Sequence, residues 1–341
     1  MPLPQRIIVT RFSAMGDVAM VASVLKEFCV QYPAVEIIMV SRPFFAPFFE
    51  GLKNMRFHAI EPKTVHKGFW GLVKLKRELA QYKVDAVADL HFNLRSRVLD
   101  LLFSISGITV KQLDKGRQEK KALTRKDNKI KVPLKLTVER YADVFRDLGF
   151  NFTLINKLAP NLQDVPKVAF SMFGNLDRKK IGIAPFAQHS YKIFPQVKME
   201  QVIDYLTYNG YDVLLFGGGN QEFQVAQNWT ERFPNTYNTI GKFSLTDELA
   251  IISNLNLMIS MDSSGLHMAS LMGVRCLSLW GATHPYAGFT GYGQLPADCI
   301  QVEHPNRPSS VYGNKPCDCD GVEAINLITP EMVIEKITTI R

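Results

Sequence analysis

Two strand-to-helix junctions, about 245 residues apart and each with a carboxylate at its turn, constrain the fold of this chain more than any other feature. In the first, Ile7, Ile8 and Val9 form the apolar run of a strand buried on both faces. The chain then passes through Gly16 and Asp17 into a segment whose apolar residues, Val18, Val21, Ala22, Leu25, Phe28 and Cys29, recur at helical spacing. In the second, Leu257 to Met261 reads as a strand, Asp262 to Gly265 as a tight turn, Leu266 to Met272 as a helix closed by Gly273, and Val274 to Trp280 as the next strand. Strands that alternate with helices in this way build parallel sheets covered on both faces. The predicted class is therefore α/β, with two Rossmann-like, doubly wound parallel-sheet domains whose junctions face one another across a central cleft.

A chain of 341 residues is long enough for two cores. The first domain is expected over residues 1–160 and a connection over 161–178, where Pro166 lies in a stretch of little periodicity. The second domain is expected over 179–328, and a final helix over 329–341 with Pro330 in its first turn and Met332, Val333, Ile337 and Ile340 as its apolar residues. Five cysteines, Cys29, Cys276, Cys299, Cys317 and Cys319, are odd in number and scattered, which suits a reducing cytoplasm rather than a disulfide framework. No basic leader with an apolar run opens the sequence, and no stretch reaches the ~18 apolar residues of a membrane span, so a soluble protein is expected.

Charge is uneven along the chain. Residues 1–160 hold 27 Lys and Arg against 15 Asp and Glu, whereas the whole chain is only +8. A basic first half suits an anionic partner drawn in by its field. Nucleic acid would fit the charge, but no recognised nucleic-acid module is present, and none is expected as a partner. Much of the excess lies in Lys111 to Lys135, which reads as an exposed loop, either a solvated surface or a place where an anionic substrate docks.

A third element lies between the junctions. Ile181 to Ala184 is a short strand, followed by a loop with His189, Ser190, Tyr191 and Lys192, a helix, and the strand Asp212 to Phe216 that ends in Gly217, Gly218 and Gly219. Three glycines at a strand's carboxyl end either let a flat ligand lie on the backbone or make a mobile turn. The Ser263-Ser264-Gly265 turn presents unpaired N–H groups and the positive end of a helix, a site for phosphate. Neither G-x-G-x-x-G nor the P-loop pattern occurs, which lowers the dinucleotide oxidoreductase and NTPase readings. The aromatic run Phe44 to Phe49, with Phe69 and Trp70, reads as core packing or as lipid contact. Cys317-x-Cys319 lacks the usual zinc-ligand spacer, and no metal is expected.

Taken in order, the Gly16-Asp17 loop, the stretch from Pro185 to Lys192, the strand-Gly-Gly of Phe216 to Gly218, and Asp262-Ser263-Ser264-Gly265 followed by His267 resemble glycosyltransferase family 9. The stretch from Asp89 to Gly107 is similar to that family's strand and helix midway through the first domain. The resemblance implies a GT-B fold, a final helix that crosses back to the first domain, and an inverting, metal-independent transfer with no cofactor. It implies a nucleotide-sugar donor, ADP-heptose first among candidates, and a phosphorylated lipid A/Kdo-type acceptor of lipopolysaccharide synthesis. The enzyme would then work in the cytoplasm with peripheral contact at the inner face of the membrane.

Roles follow from the same resemblance. Asp17 would be the base that takes the acceptor proton, although a carboxylate there also reads as a helix N-cap. Lys192 and the N–H groups of Ser263, Ser264 and Gly265 would bind the leaving diphosphate. Gly16, Ser190, Gly217, Gly218, Gly219 and Glu222 would line the donor, with Glu222 within reach of a ribose hydroxyl. Asp262 would hold sugar hydroxyls or order its turn, and His267 reads as structural or donor-facing. Arg95, Lys120 and Lys121 are expected at the acceptor. The sequence departs from the family at His91 to Asn93, where acceptor choice is decided, and in a cysteine-rich tail reduced to Cys317 and Cys319. A GT-B-like nucleotide-sugar epimerase and a non-catalytic nucleotide-sugar-binding protein are the rival readings.

Overall fold

The computed structural model describes residues 3–173 and 177–340. The chain divides into two compact units, Met1–Lys115 with Thr137–Asn156, and Gly116–Leu136 with Lys157–Arg341.

The first unit is built from β1 (Arg6–Thr10), α1 (Met15–Gln31), β2 (Glu36–Ser41), β3 (Met55–Ala59), α2 (Gly68–Ala80), β4 (Ala86–Asp89), α3 (Leu94–Ile105) and β5 (Thr109–Gln112). Helix α4 (Arg117–Thr124) belongs to the second unit, and α5 (Thr137–Asp147) returns to the first. The five strands are parallel in the order β3-β2-β1-β4-β5. Their central members are apolar because helices cover both faces: Ile7, Ile8, Val9, Ile38, Val40 and Val87 are fully buried. The chain winds outward from β1 to β3 and then returns to the other side of β1. The loops after β1 and β4 therefore part from a switch point, where open α/β sheets bind ligands.

The second unit continues with α6 (Phe170–Phe173), β6 (Lys180–Ala184), α7 (Gln196–Tyr208), β7 (Asp212–Leu215), α8 (Asn220–Arg232), β8 (Thr236–Asn238), α9 (Leu245–Ser253), β9 (Leu257–Met261), α10 (Ser264–Leu271), β10 (Cys276–Leu279), β11 (Cys299–Ile300), the hairpin β12 (Asp318–Cys319) and β13 (Val322–Glu323), and α11 (Pro330–Thr339). Its six-stranded sheet is parallel in the order β11-β10-β9-β6-β7-β8, with the switch point between β6 and β9. The two doubly wound parallel sheets are the Rossmann-like pair that the sequence predicts.

Four expectations are corrected. Residues 116–136, assigned with the first domain, pack with the second unit. Only part of the segment is an exposed loop: residues 125–136 lie outside helix and strand and are mostly exposed, whereas Lys120 on α4 is buried with its ammonium 4.3 Å from the centre of the Phe289 ring. Lys129 Nζ donates to the Asn306 and Pro308 carbonyls, and Lys131 pairs with Glu303. The final helix is part of the second unit, where α11 packs on α7 with Val333 and Ile337 in the core. The expected connection also rests on this unit, with Asn161 N bonded to the Met272 carbonyl and Gln163 N to Ser253 Oγ; residues 174–176 of it lie outside the described residues. In the aromatic run, Phe45, Phe48 and Phe49 are core while Phe44 is exposed.

Candidate active site

At the switch point of the first unit, Asp17 is not the N-cap of α1 but its third residue, with Ala14 at the cap position. Ala14 N lies 3.3 Å from Asp17 Oδ2, the back-bond of a capping box. The same carboxylate pairs with Arg11 Nη2 at 2.6 Å and accepts from the Tyr141 hydroxyl at 3.2 Å. Arg11 leaves the end of β1 buried, its guanidinium 5.6 Å from the centre of the Tyr141 ring and its Nη1 donating to the Leu90 carbonyl. Burial works against that charge, but Tyr141, Asp17 and Asp89 outweigh it and raise the Arg11 pKa. Asp17 is thus both the helix-capping residue and a fixed, partly exposed carboxylate.

The loop after β4 is tied to the same place. Asp89, fully buried, accepts from Thr10 Oγ1, Ser96 Oγ and the backbone N–H groups of His91 and Phe92. His91 Nδ1 accepts from Phe12 N at 2.9 Å, and its Nε2 lies 2.7 Å from Asn93 Nδ2. Burial, with Arg11 nearby, pushes this histidine down to about 3, so it stays neutral. Asn93 caps α3 by accepting from Ser96 N. Arg95 lies just inside that helix and lines a groove of about 440 Å³ together with Phe69, Leu72, Leu94 and Val98.

At the switch point of the second unit, Lys192 Nζ lies 3.0 Å from Asp262 Oδ2, with both side chains largely buried. Lys192 comes from the loop after β6 and Asp262 from the loop after β9, and the pairing Ala184↔Ser260 brings those strand ends level. Asp262 precedes Ser263, the N-cap of α10, so the ammonium sits at the entrance of that helix. Ser264 and Gly265 begin α10, and their N–H groups fall in the first turn that no intrahelical acceptor serves. Gly265 allows the close approach, because a Cβ there would overlap the Cβ of Ala184. Gly313, at φ +77°, meets the Lys192 stem in the same way.

The glycine turn is ordered from its helix. Gly217, Gly218 and Gly219 are exposed, and Gly218 N donates to Glu222 Oε2 at 2.7 Å, so Glu222 shapes the loop it was expected to share with a ribose. Burial raises the Glu222 pKa, partly offset by that bond. Ser190 is exposed in the β6 loop, while His267 is buried on α10. Lys121 is exposed on α4.

Structure thus groups Asp17 with Gly16 in one unit, and Lys192 with Asp262 to Gly265 in the other. Arg11, Tyr141 and Asp89 were missed. Arg11 borders the Gly-Asp loop and could have been found there, whereas nothing in the sequence links Tyr141, 124 positions away, to Asp17. Among the described residues no group of three His, Cys, Asp or Glu side chains is placed to hold a metal ion.

Residues 72–315 match glycosyltransferase family 9 (heptosyltransferase). The chain is 25% identical over 290 residues to lipopolysaccharide heptosyltransferase 3 of Escherichia coli, covering 79% of this chain and 81% of that protein. Among solved structures it resembles a family 9 glycosyltransferase of Veillonella parvula, with a TM-score of 0.77 at 20% identity over 100% of this chain and 98% of that one. The E. coli ADP-heptose LPS heptosyltransferase II gives a TM-score of 0.70 at 19% identity, with 98% of each chain covered.

Proposed function

The chain belongs to glycosyltransferase family 9, and from that premise we propose that it moves heptose from ADP-heptose onto a hydroxyl of a lipopolysaccharide inner-core acceptor, with inversion at the anomeric carbon. Its relative and its solved neighbour named for lipopolysaccharide heptosyl transfer support the choice of sugar and pathway.

The transfer needs a base for the acceptor hydroxyl and positive potential for the departing diphosphate. Asp17 is the base: Arg11 and Tyr141 hold one orientation of its carboxylate. The hydroxyl oxygen attacks the anomeric carbon from the face opposite the diphosphate, and ADP leaves with the electron pair of the broken bond. Lys192 and the first N–H groups of α10 bind that diphosphate. When phosphate draws the ammonium away, Asp262 turns to the hydroxyls of the sugar.

The observation that carries the reading is that Asp262 holds the Lys192 ammonium at the entrance of α10, so that a cation and a helix N-terminus lie at one place. Thermal shift is the direct test, because a ligand that binds only the folded state raises stability by ~2.7 kcal/mol at a hundred times its Kd. ADP should raise the Tm more than UDP or GDP at equal concentration. A larger response to UDP would remove ADP-heptose as donor.

A further inference from the structure

Unit one carries an exposed apolar face to which the proposed transfer assigns no residue except Arg95 at its edge. On α3, Leu94, Leu101 and Ile105 are 81%, 59% and 76% exposed, and half-buried Val98 lies between them. At ~100° per residue these four positions fall within ~60° of one another, on the side opposite the buried Leu99 and Phe103. Across the groove at the start of α3 stand Phe69 and Trp70, 55% and 78% exposed, at the first turn of α2. Large aromatic and aliphatic side chains in so continuous a row mark a binding surface.

Charge decides the occupant. Arg95 and Arg97 flank the α3 stripe on its two sides, and exposed Lys74 and Arg77 follow Trp70 along one face of α2. The acids of these two helices do not offset them: Asp100 is buried and Glu78 is engaged by His58 and His66. A second copy of this chain would bring the same positive rim against it. An anionic bilayer supplies the complement, with tryptophan and phenylalanine at headgroup depth and lysine and arginine reaching to the phosphates.

We infer that the outer face of α2 and α3 is a membrane-docking surface that seats this enzyme on anionic lipid. The inference goes beyond the proposed transfer, and its test contains neither donor nor acceptor, so the failure of one leaves the other standing.

The full chain is floated with vesicles of phosphatidylcholine alone and of phosphatidylcholine with a quarter phosphatidylglycerol, at low and high salt. Wild type should rise with the anionic vesicles only, and lose most of that binding at high salt as the field is screened beyond ~3 Å at about 1 M. Trp70→Ser with Ile105→Ser should weaken partitioning at least ~10-fold, since each loses an exposed apolar side chain. Lys74→Glu with Arg97→Glu should abolish the preference for anionic vesicles while leaving the melting curve unchanged. Equal flotation of wild type and both variants would overturn the inference, as would no flotation of wild type. A dimer in sedimentation equilibrium that the Trp70/Ile105 variant breaks, with flotation unaltered, would make the face a contact between copies instead.

Discussion

At the residue scale, one carboxylate has two jobs that mutation can separate. Asp17 caps the first turn of α1 through Ala14 N and is the base of the proposed transfer. Asparagine keeps the size and an acceptor oxygen, so capping survives in part, but it cannot take a proton. Asp17→Asn should therefore lower kcat by ~10²–10⁴-fold, the usual worth of a general base, with ADP affinity close to wild type. Near-normal turnover in steady-state assays would leave Asp17 a cap only, and send the search for the base elsewhere.

At the scale of elements, loops that leave neighbouring strands at a switch point share their polar groups, so a single substitution perturbs both stability and binding. Lys192→Ala should weaken ADP binding by ~1.5–3 kcal/mol, the range of a charge-assisted contact, and should also lower the Tm because Asp262 is left buried without its cation. Adding Asp262→Asn should recover the Tm but not the ADP affinity; recovery of both by the double variant would make the lysine purely structural. In the first unit, Asp100 on α3 is buried beside Asp89, and burial together with that neighbour pushes it up to about 8. An unfolded aspartate titrates near ~3.9. Between those values the folded chain holds a proton that the unfolded chain has released, so stability is complete below the unfolded value and is lost as pH rises through about 8. The Tm should thus fall by ~2 °C or more across that window, and Asp100→Asn should flatten the fall. Parallel melting curves for the two proteins across pH would refute the retained proton.

At the scale of the whole molecule, charge along the sequence and charge in space differ. The first unit holds 18 Lys and Arg against 13 Asp and Glu, and the second 22 against 19. The most basic stretch, residues 116–136, is stitched to the loops around Phe289 and Glu303 to Pro308. Its lysines therefore answer partly to packing, as does Arg307, a fully buried guanidinium that donates to the carbonyls of Trp280, Gly281 and Thr283. In the proposed transfer, Lys192 and the α10 N-terminus take the place of a divalent ion at the diphosphate. EDTA should leave the rate of ADP release within about twofold of untreated enzyme, well under the ~10-fold that 1.36 kcal/mol represents; loss of activity that Mg²⁺ or Mn²⁺ restores would put a metal into the mechanism.

The sequence alone determined the strand-helix alternation of both halves, the two strand-to-helix junctions that carry Asp17 and Asp262, and Gly273 as the helix stop, found at φ +74°. These features are local: a buried parallel strand needs an apolar run, a helix needs 3.6-residue spacing, and a left-handed cap favours glycine, so each is written within a dozen residues. The tertiary structure decided what depends on residues far apart in the chain. Strand order placed Lys192 on Asp262, the return of α5 put Tyr141 on Asp17, and packing moved residues 116–136 and α11 into the second unit. Such contacts form wherever burial pairs two surfaces, and one sequence read along its length holds no period or spacing that records which surfaces those are.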